Sequence, residues 1–110
     1  MTVTAFINYP LQDKNRKPYL EQGQEVKIGT VLLNVLDTVS GGKITTTEKV
    51  QRFRLQLKIQ DVLDLGKETP AVFTISEMTL LVKTLEASEF LTPFIYGQLL
   101  RALQQYSNEE

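Results

Sequence analysis

The 110-residue chain contains no cysteine, no histidine and no tryptophan. Without a thiol it has no disulfide framework, no cysteine nucleophile and no thiolate zinc site. Without an imidazole it has no Ser-His-Asp triad, no histidine base and no histidine metal ligand. Carboxylates and lysines remain, and they offer little acid–base capacity at neutral pH. The expectation is therefore a non-enzymatic protein with no cofactor and no metal. Long apolar runs are absent too. The densest, Val31-Leu32-Leu33-Asn34-Val35-Leu36, is far shorter than the roughly 20 residues a membrane-spanning helix needs. The N-terminus shows no basic region followed by a long apolar stretch, so no signal peptide is expected. Together with the missing cysteines, this fits a cytoplasmic setting and no membrane partner.

The residues that are present fit one folded domain spanning 1–110. Hydrophobic residues make up 42% and charged residues 23%, an ordinary balance for a chain that buries a small core without staples. Twelve basic and thirteen acidic side chains leave a net charge of -1, which argues against general nucleic-acid binding. The balance is a cancellation, however. Residues 1–42 are neutral, residues 43–58 carry +4, and residues 59–110 carry -5.

Hydrophobic periodicity predicts an α+β fold, mostly helical, with an N-terminal β-hairpin followed by about four short helices. Residues 1–25 form the hairpin region. Residues 2–8 are β-branched and aromatic, the polar stretch from Pro10 to Pro18 reads as a turn, and Tyr19-Leu20 is a candidate return strand. Residues 27–106 form the helical region. The first helix spans about 27–39, with Ile28, Val31, Leu32, Val35, Leu36 and Val39 on one stripe, and Ser40-Gly41-Gly42 ends it. The second spans about 46–65. Thr45 and Glu48 have capping-box spacing, and Gly66 is the natural residue beyond its end. This helix is apolar on two sides: Val50, Phe53 and Leu57 on one, Leu55, Ile59, Val62 and Leu63 on the other. Such a helix is sandwiched between elements or used in self-association. Ala71-Val72-Phe73 reads as extended. Thr74 and Glu77 repeat the capping-box spacing before a third helix over 75–87. Thr92 and Pro93 open a fourth that runs to about Tyr106, and residues 107–110 read as a frayed tail.

Candidate binding residues come from the basic island. Lys43 follows Gly41-Gly42 at the entrance to the second helix, where free backbone N–H groups favour anions. The loop lacks the spacing of a phosphate-binding motif, and a plain helix connection has the same composition. Lys49, Arg52, Arg54 and Lys58 follow on the helix itself. At 100° per residue, Lys49 and Arg52 fall well away from Arg54 and Lys58. The plain reading is pairing with the acidic C-terminal half, plus a Lys58–Asp61 pair. The functional reading is recognition of an anionic small ligand or an acidic protein. Asp61/Asp64 and Glu86/Glu89 share helix faces but lack the ligand density of a calcium loop.

The order of segments, "VKIGTVLLNVL", "TTEKVQRFRLQLKIQDV", "FTISEMTLLVKTL" and "TPFIYGQLLRAL", resembles a group of small proteins of tailed bacteriophages. Gly29, Glu48-Lys49, Arg52, Glu77 and Gly97-Gln98 match the pattern. Lys14-Asn15-Arg16-Lys17-Pro18, where that group usually carries a glycine turn, and Lys67-Glu68-Thr69-Pro70 depart from it. The group has no established activity, so the resemblance implies a phage context and a host cytoplasm rather than a mechanism. Two roles follow as expectations. One is an accessory binding protein, a homo-oligomer that modulates a host component as an anti-defence or takeover factor, with a signalling nucleotide as one possible ligand. The other is a minor head or tail assembly protein or chaperone.

Overall fold

Alternation in Thr2-Val3-Thr4-Ala5 and in Ala71-Val72-Phe73-Thr74 places Val3 and Ala5 on one face of the first segment and Ala71 and Phe73 on one face of the second, with the threonines and Val72 on the opposite faces. In a computed structural model, which describes residues 2–38, 44–66, 68–89 and 91–103, these segments are strands β1 (Thr2–Ala5) and β4 (Ala71–Thr74). They pair antiparallel, with Val3 opposite Phe73 and Ala5 opposite Ala71. Ala5, Ala71 and Phe73 are fully buried.

The N-terminal hairpin is present, and its arms are β2 (Leu20–Glu21) and β3 (Gln24–Glu25). Gln22 and Gly23 form its two-residue loop with φ of 53° and 83°, the positive values that match a tight turn to strand twist. Residues 2–8 do not pair with Tyr19-Leu20 as expected, because β1 is taken by β4, which follows the first two helices. Leu11 holds the hairpin by backbone bonds instead, donating to Val26 O and accepting from Tyr19 N, each at 2.7 Å.

Helix α1 runs over Ile28–Asp37, α2 over Thr46–Leu63, α3 over Ile75–Ala87 and α4 over Pro93–Ala102. The starts follow the caps read from sequence. Thr45 Oγ1 accepts from Glu48 N at 3.1 Å. Thr74 and Glu77 make the full reciprocal capping box, and Thr92 with Pro93 opens α4. The ends do not all follow. Helix α2 stops at Leu63, with Asp64 as C-cap, and Gly66 does not take the left-handed conformation of a terminating glycine. Asn8 satisfies this end from outside the helix. Its side-chain amide donates to the carbonyls of Leu65 (2.9 Å) and Val62 (3.1 Å), with longer contacts to Gly66 and Leu63. Helix α1, expected to run to about residue 39 and to be ended by Ser40-Gly41-Gly42, stops at Asp37, where Thr38 is the C-cap in an extended conformation and donates its N–H to Val35 O. Ser40-Gly41-Gly42 themselves and the tail at 107–110 lie outside the described residues.

One cluster of buried side chains joins all four helices to the β1–β4 pair. Leu32, Val35 and Leu36 come from α1, Leu55, Ile59 and Val62 from α2, Met78, Leu81 and Leu85 from α3, and Leu99 from α4, with Leu103 at its end. Gln98 pins α4 to the N-terminal segment. Its amide accepts from Gln12 N at 2.8 Å and donates to Gln12 O at 2.9 Å, reproducing the paired bonds of a β-ladder with a side chain.

Candidate functional site

The fold separates the basic island. Arg52 turns inward. Its Nη1 donates to the carbonyls of Thr38 (3.1 Å) and Leu36 (3.3 Å), and its Nη2 to Glu48 Oε2 at 3.0 Å. It thereby satisfies the C-terminal carbonyls of α1, which lack partners inside their own helix. Lys58 reaches Glu77 Oε1 at 2.7 Å and Val72 O at 3.2 Å. The expected Lys58–Asp61 pair does not form, because the carboxylate of Glu77 is held at the start of α3 facing Lys58. Pairing with the acidic half of the chain is thus realised across elements rather than along α2.

Glu77 serves two partners at once. Its Oε1 also accepts from Thr74 N at 2.8 Å. Burial alone would raise its pKa. The hydrogen bond from Lys58, the bonds from Thr74 and the lysine charge outweigh burial and hold the carboxyl below its ordinary value.

Lys49 and Arg54 are exposed and have no polar side-chain partner among the described residues. They stand on opposite flanks of α2. Lys43 lies outside the described residues. The five candidate cations therefore do not converge on one pocket. Two stabilise the fold, and two point to solvent on separate sides. Among the described residues no group of three or more acidic side chains is gathered as a metal site, and no helix is long and apolar enough to cross a membrane.

What the fold leaves open is the outer face of α2. Val50, Phe53 and Leu57 are 43%, 58% and 44% exposed, while Leu55 and Ile59 on the inner face are almost completely buried. The two apolar sides read from the sequence are real, and only one is covered. Gln56, on the α1 side, donates to Leu33 O at 3.3 Å. Lys58, on the other, is drawn to α3. Packing on both sides leaves the stripe facing away from the body of the chain. Leu65, just past the helix end, adds a further exposed apolar side chain, 57% accessible. The sequence signal for this surface was the second apolar stripe itself. No periodicity marked Asn8 or Gln98, single polar residues whose partners lie more than fifty positions away, although Gln98 belongs to the Gly97-Gln98 pair in the resemblance.

Elsewhere a concavity of about 460 Å³ lies between the Asp13 turn and the start of α4, with Lys14, Tyr19 and Phe94 among its lining residues. No family model, curated protein or solved structure matches the chain.

Proposed function

We propose that this chain is a non-enzymatic accessory binding protein that works as a homo-oligomer and modulates a host component, in the manner implied by its resemblance to small phage proteins. The observation that carries this reading is the uncovered apolar stripe Val50–Phe53–Leu57 on α2. Fully burying a large apolar side chain is worth about 1.5–3 kcal/mol, so completing the burial of three half-covered ones is a substantial drive toward association. Arg52 and Lys58 are engaged within the chain. Their engagement moves the weight of the reading from an anionic small ligand to a protein partner.

Sedimentation at micromolar protein tests the oligomer. The expected result is a mass above that of the 12.5 kDa chain, and a clean monomer overturns it. Expression in a bacterial host tests the role. Growth or phage plating efficiency should change with the wild-type chain and revert with Phe53→Asp. No effect of the wild-type chain, together with its recovery in purified virions, would favour the assembly role instead.

A further inference from the structure

We propose that the occupant of the α2 face is a second copy of the same helix, docked antiparallel about a two-fold axis beside Leu57. This inference rests on the self-association reading above and specifies its geometry. The argument comes from the charges that flank the stripe. Lys49 stands in the first turn of α2, Asp61 stands in the last turn, and Asp64 is the C-cap. Each has the wrong sign for its own end of the helix, since the helix dipole favours acids at the N-terminus and bases at the C-terminus. Among the described residues, none of these three side chains has an ion-pair partner. In the isolated chain the arrangement is unfavourable. A second α2 laid antiparallel reverses it, because the basic half of each helix then meets the acidic end of the other. A parallel copy would set like charges side by side.

The register follows from the same residues. A two-fold axis makes a contact isologous, so each flank of the helix meets the same flank of its partner. Arg54 and Asp61 lie on one flank, two helical turns apart. Setting Arg54 level with the partner's Asp61 creates two symmetric ion pairs. The same setting places the two Leu57 side chains beside the axis. The three exposed apolar residues of this face, Val50, Phe53 and Leu57, then enter one contact.

The test is sedimentation equilibrium on the full chain with three exposed-site variants, Phe53→Asp, Arg54→Asp and Asp61→Arg, each checked for folding by circular dichroism. Phe53→Asp should be monomeric. Arg54→Asp and Asp61→Arg, which set like charges together at two places, should each weaken dimerisation by at least about ten-fold, given that such juxtapositions are strongly disfavoured. Mixed together, the two charge variants should form a heterodimer of wild-type strength, because each supplies the sign the other lacks. A wild-type monomer overturns self-association itself. A wild-type dimer that survives Phe53→Asp overturns the use of this face. A dimer lost with Phe53→Asp but not rescued by mixing overturns the antiparallel register and leaves the face standing.

Discussion

The side-chain amide of Asn8 lies 2.9 Å from the carbonyl oxygen of Leu65, joining the segment after the first strand to the end of the longest helix. With its bond to Val62 O at 3.1 Å, which also accepts from Leu65 N at 3.0 Å, this one residue gathers the carbonyls at the helix end from outside the helix. Asn8 is fully buried and its bond to Val62 O is buried as well, so water has little access to replace it. Asn8→Ala should lower stability by about 1–3 kcal/mol, the cost of leaving buried polar groups unpaired. Asn8→Asp should cost more, because it sets a carboxylate against carbonyl oxygens. Urea unfolding of the three proteins, with unchanged slopes, checks both.

Arg52 is the corresponding device at the end of α1. A binding role predicts that Arg52→Ala leaves the fold intact. The geometry predicts otherwise. Arg52 joins Glu48 to two α1 carbonyls, and a lysine cannot reproduce that fork. Arg52→Ala and Arg52→Lys should both lower stability, by about 1–3 kcal/mol for the alanine variant. Arg54→Ala, at an exposed position without a partner in its own chain, should shift the stability of the monomeric Phe53→Asp protein by no more than about 0.5 kcal/mol. Equal denaturation midpoints for the Arg52 and Arg54 variants would remove the assignment.

Among the described residues two glycines, Gly29 and Gly97, sit within helices, and of these Gly29 alone is required there. A Cβ on Gly29 would lie 2.7 Å from Leu63 Cδ2 and 3.2 Å from the backbone oxygen of Ile7. The helix start approaches both α2 and the segment after β1 at this point, and Gly29 N donates to that same oxygen at 2.8 Å. Gly29→Ala should destabilise by about 1–3 kcal/mol, as overpacking does. A Cβ on Gly97 meets nothing within 4 Å, so Gly97→Ala should stabilise by about 0.5–1 kcal/mol, the usual gain from replacing a helical glycine. Thermal unfolding should move in opposite directions for the pair.

Local signals in the sequence carried the helices well. Thr74 with Glu77 and Thr92 with Pro93 placed the starts of α3 and α4 because a cap depends on residues three positions apart. The double apolar stripe of α2 pointed to its exposed face for a similar reason, since helical periodicity is itself local. Long-range choices were hidden. Residues 2–8 are strand-forming wherever they pair, and their composition does not distinguish Tyr19-Leu20 from Ala71–Thr74 as partner. Helical angles already split the basic island into two sides, but they do not say which neighbouring element each side meets. Arg52 and Lys58 are turned toward different elements, which only the packing of α1 and α3 against α2 decides.

The Lys58–Glu77 contact at 2.7 Å gives the stability of the chain a pH dependence with a fixed sign. Glu77 is only partly buried, and burial by itself would raise its pKa. The bonds from Lys58 and Thr74 and the lysine charge reverse that, so the folded-state value lies below the ordinary 4.5. In the interval between the two values the unfolded chain binds more protons than the folded one, so stability rises with pH there. The contribution is complete above about pH 4.5, the unfolded value, and is lost as pH falls through the folded one. Solvent screening keeps it modest, since Lys58 is more than a third exposed. Glu77→Gln removes the charge at every pH. The urea midpoint of the wild type should therefore exceed that of Glu77→Gln at pH 7, and the gap should close below pH 4.5. A gap that stays constant from pH 7 to pH 3 would mean that the ionised carboxylate contributes nothing and that only the shape of the capping box matters.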